Sequence, residues 1–288
     1  VSPIKLPPLD EWEVSREAIV IIGRLGEGSF GEVLKAECYD LHGSQGVHTV
    51  AVKKLKEHCP REEVEAFYRE LQMMKSLPLH PNVIQLCGCC TSQEPAFIIM
   101  EFVSNGNLQQ YLRDRRSYGN GRQWTAATLT TRDLTAFAVH VASGMDFVSS
   151  QGLLHRDLAA RNVLVSDELV CKVSDFGLSR DVINCREYES KTKRCLPLRW
   201  MSPESLFDNI YSTKSDVWSF GVLLWEIVTL GSSPYPGMTG RDVMEMIDQG
   251  YRMDRPRHCP KPLYDVMRDC WSAEPNARPS FKALTDRL

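Results

Sequence analysis

The stretch LLHRDLAARNVLV at residues 153–165 places His155, Arg156, Asp157, Arg161 and Asn162 between two apolar ends. Apolar ends of this kind read as short buried segments. Polar groups confined between them must be exposed, mutually satisfied or engaged in chemistry. Taken alone, an Arg–Asp pair in a surface loop satisfies the pattern, so the rest of the chain has to decide.

The chain has 288 residues, enough for one large domain or for two lobes with separate cores. Hydrophobic residues make up 43% and charged residues 25%, a globular balance that argues against disorder. Nothing in the net charge of −3 calls for a nucleic-acid or membrane-surface partner. The ten cysteines form no disulfide framework. CGCC at residues 87–90 lacks the paired C-x2-C and His spacing of a zinc site, so free thiols in a reducing cytosol are expected. No signal peptide opens the chain. The longest apolar run, residues 217–230, is too short to span a bilayer and contains Glu226. Being apolar nearly all round, it reads as a helix buried within a lobe. The first residues, and a last segment that reads as helix interior, suggest a domain cut from a longer protein.

Across residues 19–55 the signals are strand-like and broken by Gly or polar turns. Residues 60–77 read as a helix, with Val64, Phe67, Leu71 and Met74 on one stripe. NVIQLCG and PAFIIMEFV add two strands, and SNGN at residues 104–107 ends the pattern. Beyond it the chain is mainly helical. Leu134, Phe137, Ala138, Val141, Ala142 and Met145 keep helical spacing, and further helices are expected from Asp216, Gly240, Pro262 and Asn276. The polar, Gly-bearing stretch after Leu112 reads as a surface insert reaching Thr131. The expected architecture is α+β: a small antiparallel sheet lobe with one helix, a short hinge, and a larger helical lobe, with a ligand in the cleft.

Three further motifs carry chemistry. LGEGSFGEV holds Gly26, Gly28, Gly31 and Val33, a glycine loop able to approach phosphates. Strand-like residues on both sides make it a hairpin lid, which counts against a dinucleotide-binding strand–helix turn. VAVKKL sets Lys53 among apolar neighbours. A solvated lysine on an edge strand gives the same pattern, but a phosphate-binding lysine needs an acidic partner, and Glu70 on the next helix offers one. VSDFGLSR supplies Asp175, Phe176 and Gly177 after a short strand, a plain turn or a hard-cation ligand.

Together with SPE at residues 202–204, these pieces stand in the order and approximate spacing of a protein kinase. The sequence resembles the eukaryotic protein kinase family from about residue 17 onward. The resemblance implies a juxtamembrane-like segment over residues 1–16 and a bilobal catalytic domain over 17–288, divided into an N-lobe (17–101), hinge (102–106) and C-lobe (107–288). It implies ATP and magnesium as cofactors, with manganese as a substitute. Asp157 becomes the base for the substrate hydroxyl, Asn162 and Asp175 the metal ligands, and Lys53, paired with Glu70, the grip on the α- and β-phosphates. His155 and Phe176 join a stack with Met74 and Leu86, and Arg156 meets an activation-loop phosphate. Glu204 pairs with Arg278, and Asp216 braces the catalytic loop. Ser202 stands where the family more often has alanine. With every catalytic group present, a kinase-like scaffold without activity is the weaker alternative.

Serine/threonine kinases typically carry lysine two residues after the catalytic aspartate. Here that position is Ala159, and Arg161 follows at the tyrosine-kinase position. Pro197, followed by Arg199 and Trp200, is similar to the tyrosine-kinase floor on which the substrate ring packs. Tyrosine rather than serine/threonine or dual specificity is therefore implied. GNLQQYLRDRR, RDVINCREYESKT, SLFDNIYSTKSDVWSFGVLLWEI and GYRMDRP resemble the fibroblast growth factor receptor group. A receptor-type domain on the cytoplasmic side of the plasma membrane is expected, with a cytoplasmic non-receptor kinase as the alternative. Expected partners are tyrosine-containing protein substrates, phosphotyrosine-binding adaptor domains, ATP-competitive inhibitors and a second copy for trans-autophosphorylation.

The resemblance also places the nucleotide. Leu25, Val33 and Ala51 cover the adenine and Leu164 lies beneath it. Backbone groups of Glu101 and Val103 bind its edge, and Met100 is the gatekeeper. Tyr188, between Asp175 and Glu204, is the expected autophosphorylation site, with Arg156 and Arg180 to receive its phosphate. Gln85, Glu101 and Lys172 correspond to a polar triad that restrains the hinge in related receptors.

Overall fold

Strand-forming residues in residues 19–55 fold as three strands, β1 (Ile19–Glu27), β2 (Gly31–Tyr39) and β3 (Val47–Leu55). The computed structural model describes residues 10–27, 31–41, 45–56, 59–117, 129–177, 180–181 and 196–288. Its chain forms two compact units: Val1–His80 with Ile84–Val103, and Pro81–Val83 with Ser104–Leu288.

In the first unit, α1 (Arg61–Ser76) precedes β4 (Leu86–Cys90) and β5 (Phe97–Glu101). The antiparallel sheet has the order β1-β2-β3-β5-β4. β3 is thus an interior strand, so Lys53 does not stand on an edge. Alternate residues of β2, β3 and β5 (Ala36, Cys38, Val50, Val52, Ile99) bury a common core. Phe67, Leu71 and Met74 are the buried stripe of α1, as their spacing requires.

Residues before β1 cover the open edge of β4. The Trp12 carbonyl accepts the Cys89 N–H and the Val14 N–H donates to the Cys89 carbonyl, both at 2.8 Å. The Glu13 carboxylate accepts the Thr91 N–H and hydroxyl and the Ser92 N–H at 2.8–2.9 Å. Asp10 receives Lys75, from the last turn of α1, at 2.8 and 3.0 Å. The Arg16 guanidinium lies 3.5 Å from the centre of the Phe97 ring. An edge strand left bare is a pairing hazard, and this strap removes it.

The second unit contains α2 (Leu108–Ser117), α3 (Thr131–Ser150), β6 (Leu153–Leu154), β7 (Val163–Val165), β8 (Cys171–Val173) and β9 (Arg180–Asp181). It continues with α4 (Pro203–Phe207), α5 (Thr213–Val228), α6 (Gly240–Asp248), α7 (Lys261–Cys270) and α8 (Phe281–Arg287). β6 pairs with β9 and β7 with β8, each antiparallel. Every residue of α5 from Ser215 to Ile227 is buried, as expected for an all-round apolar helix. Among the described residues, no helix is long and apolar enough to cross a membrane.

Three expectations change. The segment after Leu112 is not wholly a loop: α2 continues through Ser117, with Arg113 Nε donating to the Gly231 carbonyl at 2.7 Å. α5 begins at Thr213 because Ser212 forms a capping box with Ser215. The helix expected from Asn276 begins at Phe281, since Pro279 blocks a continuous helix and Ser280 caps the new start. Residues Pro275–Ala277 form a separate 3-10 turn.

Candidate active site

β3 and α1 bring Lys53 and Glu70 together in the first unit. Lys53 Nζ lies 2.7 Å from both carboxylate oxygens of Glu70. The two side chains are 10% and 3% exposed, so each charge depends on the other for its solvation. Val33 lies opposite Lys53 across the β2–β3 ladder, and Ala51 lies opposite Met100 across β3–β5. Gly26 pairs with Val33, so the glycine loop joins a hairpin. A Cβ at Gly31 would stand 2.0 Å from the Lys54 carbonyl oxygen, so only glycine fits that crossing. Gly28 lies outside the described residues. Leu25 is exposed and Val103 buried. The Glu101 N–H donates to the Gln85 carbonyl at 3.1 Å, and its carboxylate accepts the Gln85 N–H at 2.9 Å. Gln85 thus meets Glu101 through its backbone; Lys172 belongs to the second unit.

The loop that carries Asp157 lies in the second unit between β6 and β7. The apolar ends noted in the sequence are those two strands, both anchored in the core. Asp157 is held from two sides. Arg161 pairs with its Oδ1, while Asn162 Nδ2 donates to its Oδ2 at 2.9 Å and to its backbone carbonyl at 2.7 Å. Burial pushes the Asp157 carboxyl above its ordinary value, against Arg161 and Asn162, which favour the charged form. His155 is fully buried, and its Nδ1 accepts the Asp157 N–H at 3.3 Å. The proton therefore sits on Nε2, which donates to the Ser174 carbonyl at 3.0 Å. The His155 and Phe176 rings stand 5.3 Å apart, and Gly177 follows, also buried.

Asp175 and Arg156 are held at positive φ, 61° and 69°. Residues of this type occupy that region only where surroundings enforce it. For Arg156 the enforcing group is Asp216 of α5, whose oxygens accept the His155 and Arg156 N–H groups at 2.9 Å each. The Arg156 guanidinium lies 3.9 Å from the centre of the Tyr211 ring. Asn162 is tied to the segment before Asp175: its carbonyl accepts both the N–H and the hydroxyl of Ser174, at 2.9 and 3.0 Å. With the Asn162 Nδ2 committed to Asp157, its amide oxygen and the Asp175 carboxylate are two hard donors on neighbouring, fixed segments. That donor set suits magnesium, which takes one or two protein oxygens and fills the rest with phosphate and water.

Pro197 opens a 3-10 turn, Leu198–Trp200. Arg199 anchors the turn by donating to the Pro234, Tyr235 and Met238 carbonyls at 2.5–2.9 Å. Arg278 forks onto Glu204 at 2.6 and 2.8 Å, the pair expected from the sequence. Leu164 lies in β7 opposite Lys172. Arg180 pairs with Leu154 between β9 and β6. Tyr188 lies outside the described residues. The sequence reading missed Glu226, which accepts the Ala160 N–H and the Trp200 indole N–H. A carboxylate inside an all-apolar helix was the available signal.

A family model described as protein tyrosine and serine/threonine kinase matches residues 19–288. The chain belongs to this family. Its five-stranded antiparallel sheet and helical C-terminal portion are those of the bilobal kinase fold, and the family uses ATP with a divalent metal ion. The domain is 49% identical over 282 residues to the tyrosine kinase receptor Cad96Ca of Drosophila melanogaster, covering 97% of this chain and 36% of the relative. It is 45% identical over 295 aligned residues to fibroblast growth factor receptor 1 of Pleurodeles waltl, covering 100% of this chain and 36% of the relative. The kinase domain is thus homologous to receptor tyrosine kinases and spans about a third of the curated relatives it matches.

Proposed function

We propose that this domain transfers the γ-phosphate of ATP to tyrosine hydroxyls of proteins, its own copies included, as the catalytic part of a receptor tyrosine kinase. The observation that carries the reading is Asp157, a mostly buried carboxylate fixed by Arg161 and Asn162. Phosphoryl transfer leaves the protein little covalent work, so placement and charge neutralisation dominate. Asp157 orients the acceptor hydroxyl and takes its proton. Lys53, oriented by Glu70, holds the α- and β-phosphates. Asn162 and Asp175 would hold magnesium, or manganese in its place, which would neutralise phosphate charge when bound. Leu25, Val33, Ala51 and Leu164 enclose the adenine, whose edge meets the Glu101 carbonyl and the Val103 backbone. Met100 limits the depth available to ATP-competitive inhibitors. Gly26, Gly28 and Gly31 let the hairpin approach the phosphates, while Phe176 and Gly177 set the placement of Asp175.

Tyrosine rather than serine specificity is supported by Ala159, Arg161 and Pro197, and by the names of both relatives. The same names support a place on the cytoplasmic side of the plasma membrane. Trans-autophosphorylation at Tyr188 and recruitment of phosphotyrosine-binding adaptors follow from the receptor reading, with Arg156 and Arg180 to receive the Tyr188 phosphate. Residues 1–16 would then lie next to the membrane, with the N-lobe, hinge and C-lobe at residues 17–101, 102–106 and 107–288.

Incubation with magnesium, labelled ATP and either a tyrosine-containing or a serine-containing peptide polymer tests the reading. Label on tyrosine alone supports it; label on serine, or none on either, contradicts it.

A further inference from the structure

We propose that Glu226 is a positioning residue for phosphoryl transfer: one carboxylate oxygen locks the catalytic loop to the substrate platform. The proposal rests on the kinase reading and adds a residue to it.

Glu226 lies on α5 and is 0% exposed. Its Oε2 accepts the Ala160 backbone N–H and the Trp200 indole N–H, both at 2.9 Å. Its Oε1 accepts the Gln109 side-chain amide at 3.2 Å. The donors come from α2, the catalytic loop and the segment that follows Pro197. A leucine here would match the apolar neighbours of the helix without the cost of burying a charge. The carboxylate is therefore explained by what it accepts. Burial pushes its carboxyl up, and the Ala160 and Trp200 donors offset part of that push.

Both N–H groups converge on a single atom, which fixes the distance between them. Ala160 opens the 3-10 turn that carries Arg161 and Asn162. Trp200 closes the turn that Pro197 opens. A second link runs over the indole face. The Arg161 guanidinium lies 4.2 Å from the centre of the Trp200 ring, and the same guanidinium pairs with Asp157. The indole is thus gripped at its edge by Glu226 and on its face by the cation that holds the catalytic carboxylate. The circuit Glu226–Trp200–Arg161–Asp157 ties the base to the surface that presents its substrate.

The platform backbone has other anchors. Ser219 Oγ donates to the Trp200 carbonyl at 2.7 Å, and Arg199 binds three carbonyls of residues 234–238. Changes at the indole or at Glu226 leave these in place, so they address position rather than folding.

Steady-state kinetics with a tyrosine peptide and ATP, run beside nucleotide affinity and melting temperature, test the inference on Glu226→Leu, Glu226→Gln, Trp200→Phe and the Glu226→Leu/Trp200→Phe double variant. Glu226→Gln keeps an acceptor for both N–H groups, and Gln109 can turn its amide to match. It should retain activity near wild type. Glu226→Leu should lower kcat by about 10²-fold, the cost of a misplacement near 1 Å, with KM and affinity for ATP unchanged. Trp200→Phe should fall between, and the double variant should be no worse than Glu226→Leu, because one link is broken twice. Wild-type kcat in Glu226→Leu, or equal losses in the Leu and Gln variants, overturns the proposal. Should Glu226→Leu fail to fold, unchanged kcat in Trp200→Phe overturns it and a reduced kcat with intact ATP affinity supports it. A wild-type domain that transfers nothing overturns the kinase reading itself, and this inference with it.

Discussion

Asp216 Oδ1 accepts the backbone N–H of Arg156 at 2.9 Å, and Arg156 stands at φ 69°. A buried carboxylate on α5 thus holds the residue before Asp157 in a conformation that costs about 1–3 kcal/mol. Asp216→Asn should release it, because an amide offers one acceptor and turns donors toward the second N–H. A loss of about 2–4 kcal/mol in denaturant unfolding is expected, with a larger proportional loss of kcat than of ATP affinity. Unfolding curves and kcat equal to wild type would remove Asp216 from the account.

As the proposed base, Asp157 must be ionised to accept a proton, and its burial raises its carboxyl above the ordinary value. Activity should therefore fall on acidification through a pKa higher than that of a free aspartate. The acid limb of the kcat profile measures it. A limb at or below the ordinary aspartate value would contradict the burial argument.

The Arg278–Glu204 fork is a buried ion pair that should matter to folding rather than to chemistry. Breaking one partner of such a pair costs about 3–5 kcal/mol, so Arg278→Leu should unfold far more readily than wild type. Burial works to raise Glu204, but the Arg278 fork outweighs it and holds the carboxyl below its ordinary value. A carboxyl lowered by folding stabilises above its unfolded pKa and loses that contribution as pH falls through its folded pKa. The stability gap between wild type and Glu204→Gln should accordingly shrink on acidification. Melting curves across the acid range check the sign.

Glu13, which precedes the family-matched region, accepts three hydrogen bonds from Thr91 and Ser92. Burial pushes its carboxyl up, and the Ser92 and Thr91 donors more than reverse that push. Glu13→Ala should cost about 1–2 kcal/mol. Removal of residues 1–15 should cost more, by also stripping the Trp12 and Val14 pairing from β4. Thermal unfolding of both variants at wild-type level would show the strap to be energetically idle.

The sequence was most legible where a residue's chemistry conflicts with its neighbours. Lys53 among β-branched residues pointed to a partner, and Glu70 meets it at 2.7 Å. The charged cluster between two apolar ends resolved as a loop pinned by two strands. Less legible were features that depend on three-dimensional convergence. Nothing in the spacing of Gln109, Ala160, Trp200 and Glu226 announces that they meet. Trp12–Val14 alternates too briefly to read as a strand, because the partner that makes it one lies 76 residues away in β4. The late start of α8 was readable in Pro279, which blocks a helix running on from Asn276, and in Ser280, which caps the new one.

The most direct test is single-turnover transfer from magnesium–ATP to a tyrosine peptide by wild type and Asp157→Asn, with nucleotide affinity measured on the same samples. Asparagine keeps the size and the contact with Asn162 but cannot take the proton. The account predicts unchanged ATP affinity, phosphotyrosine as the product of the wild type, and a rate lowered by about 10²-fold or more in Asp157→Asn. Equal rates in the two proteins would contradict it.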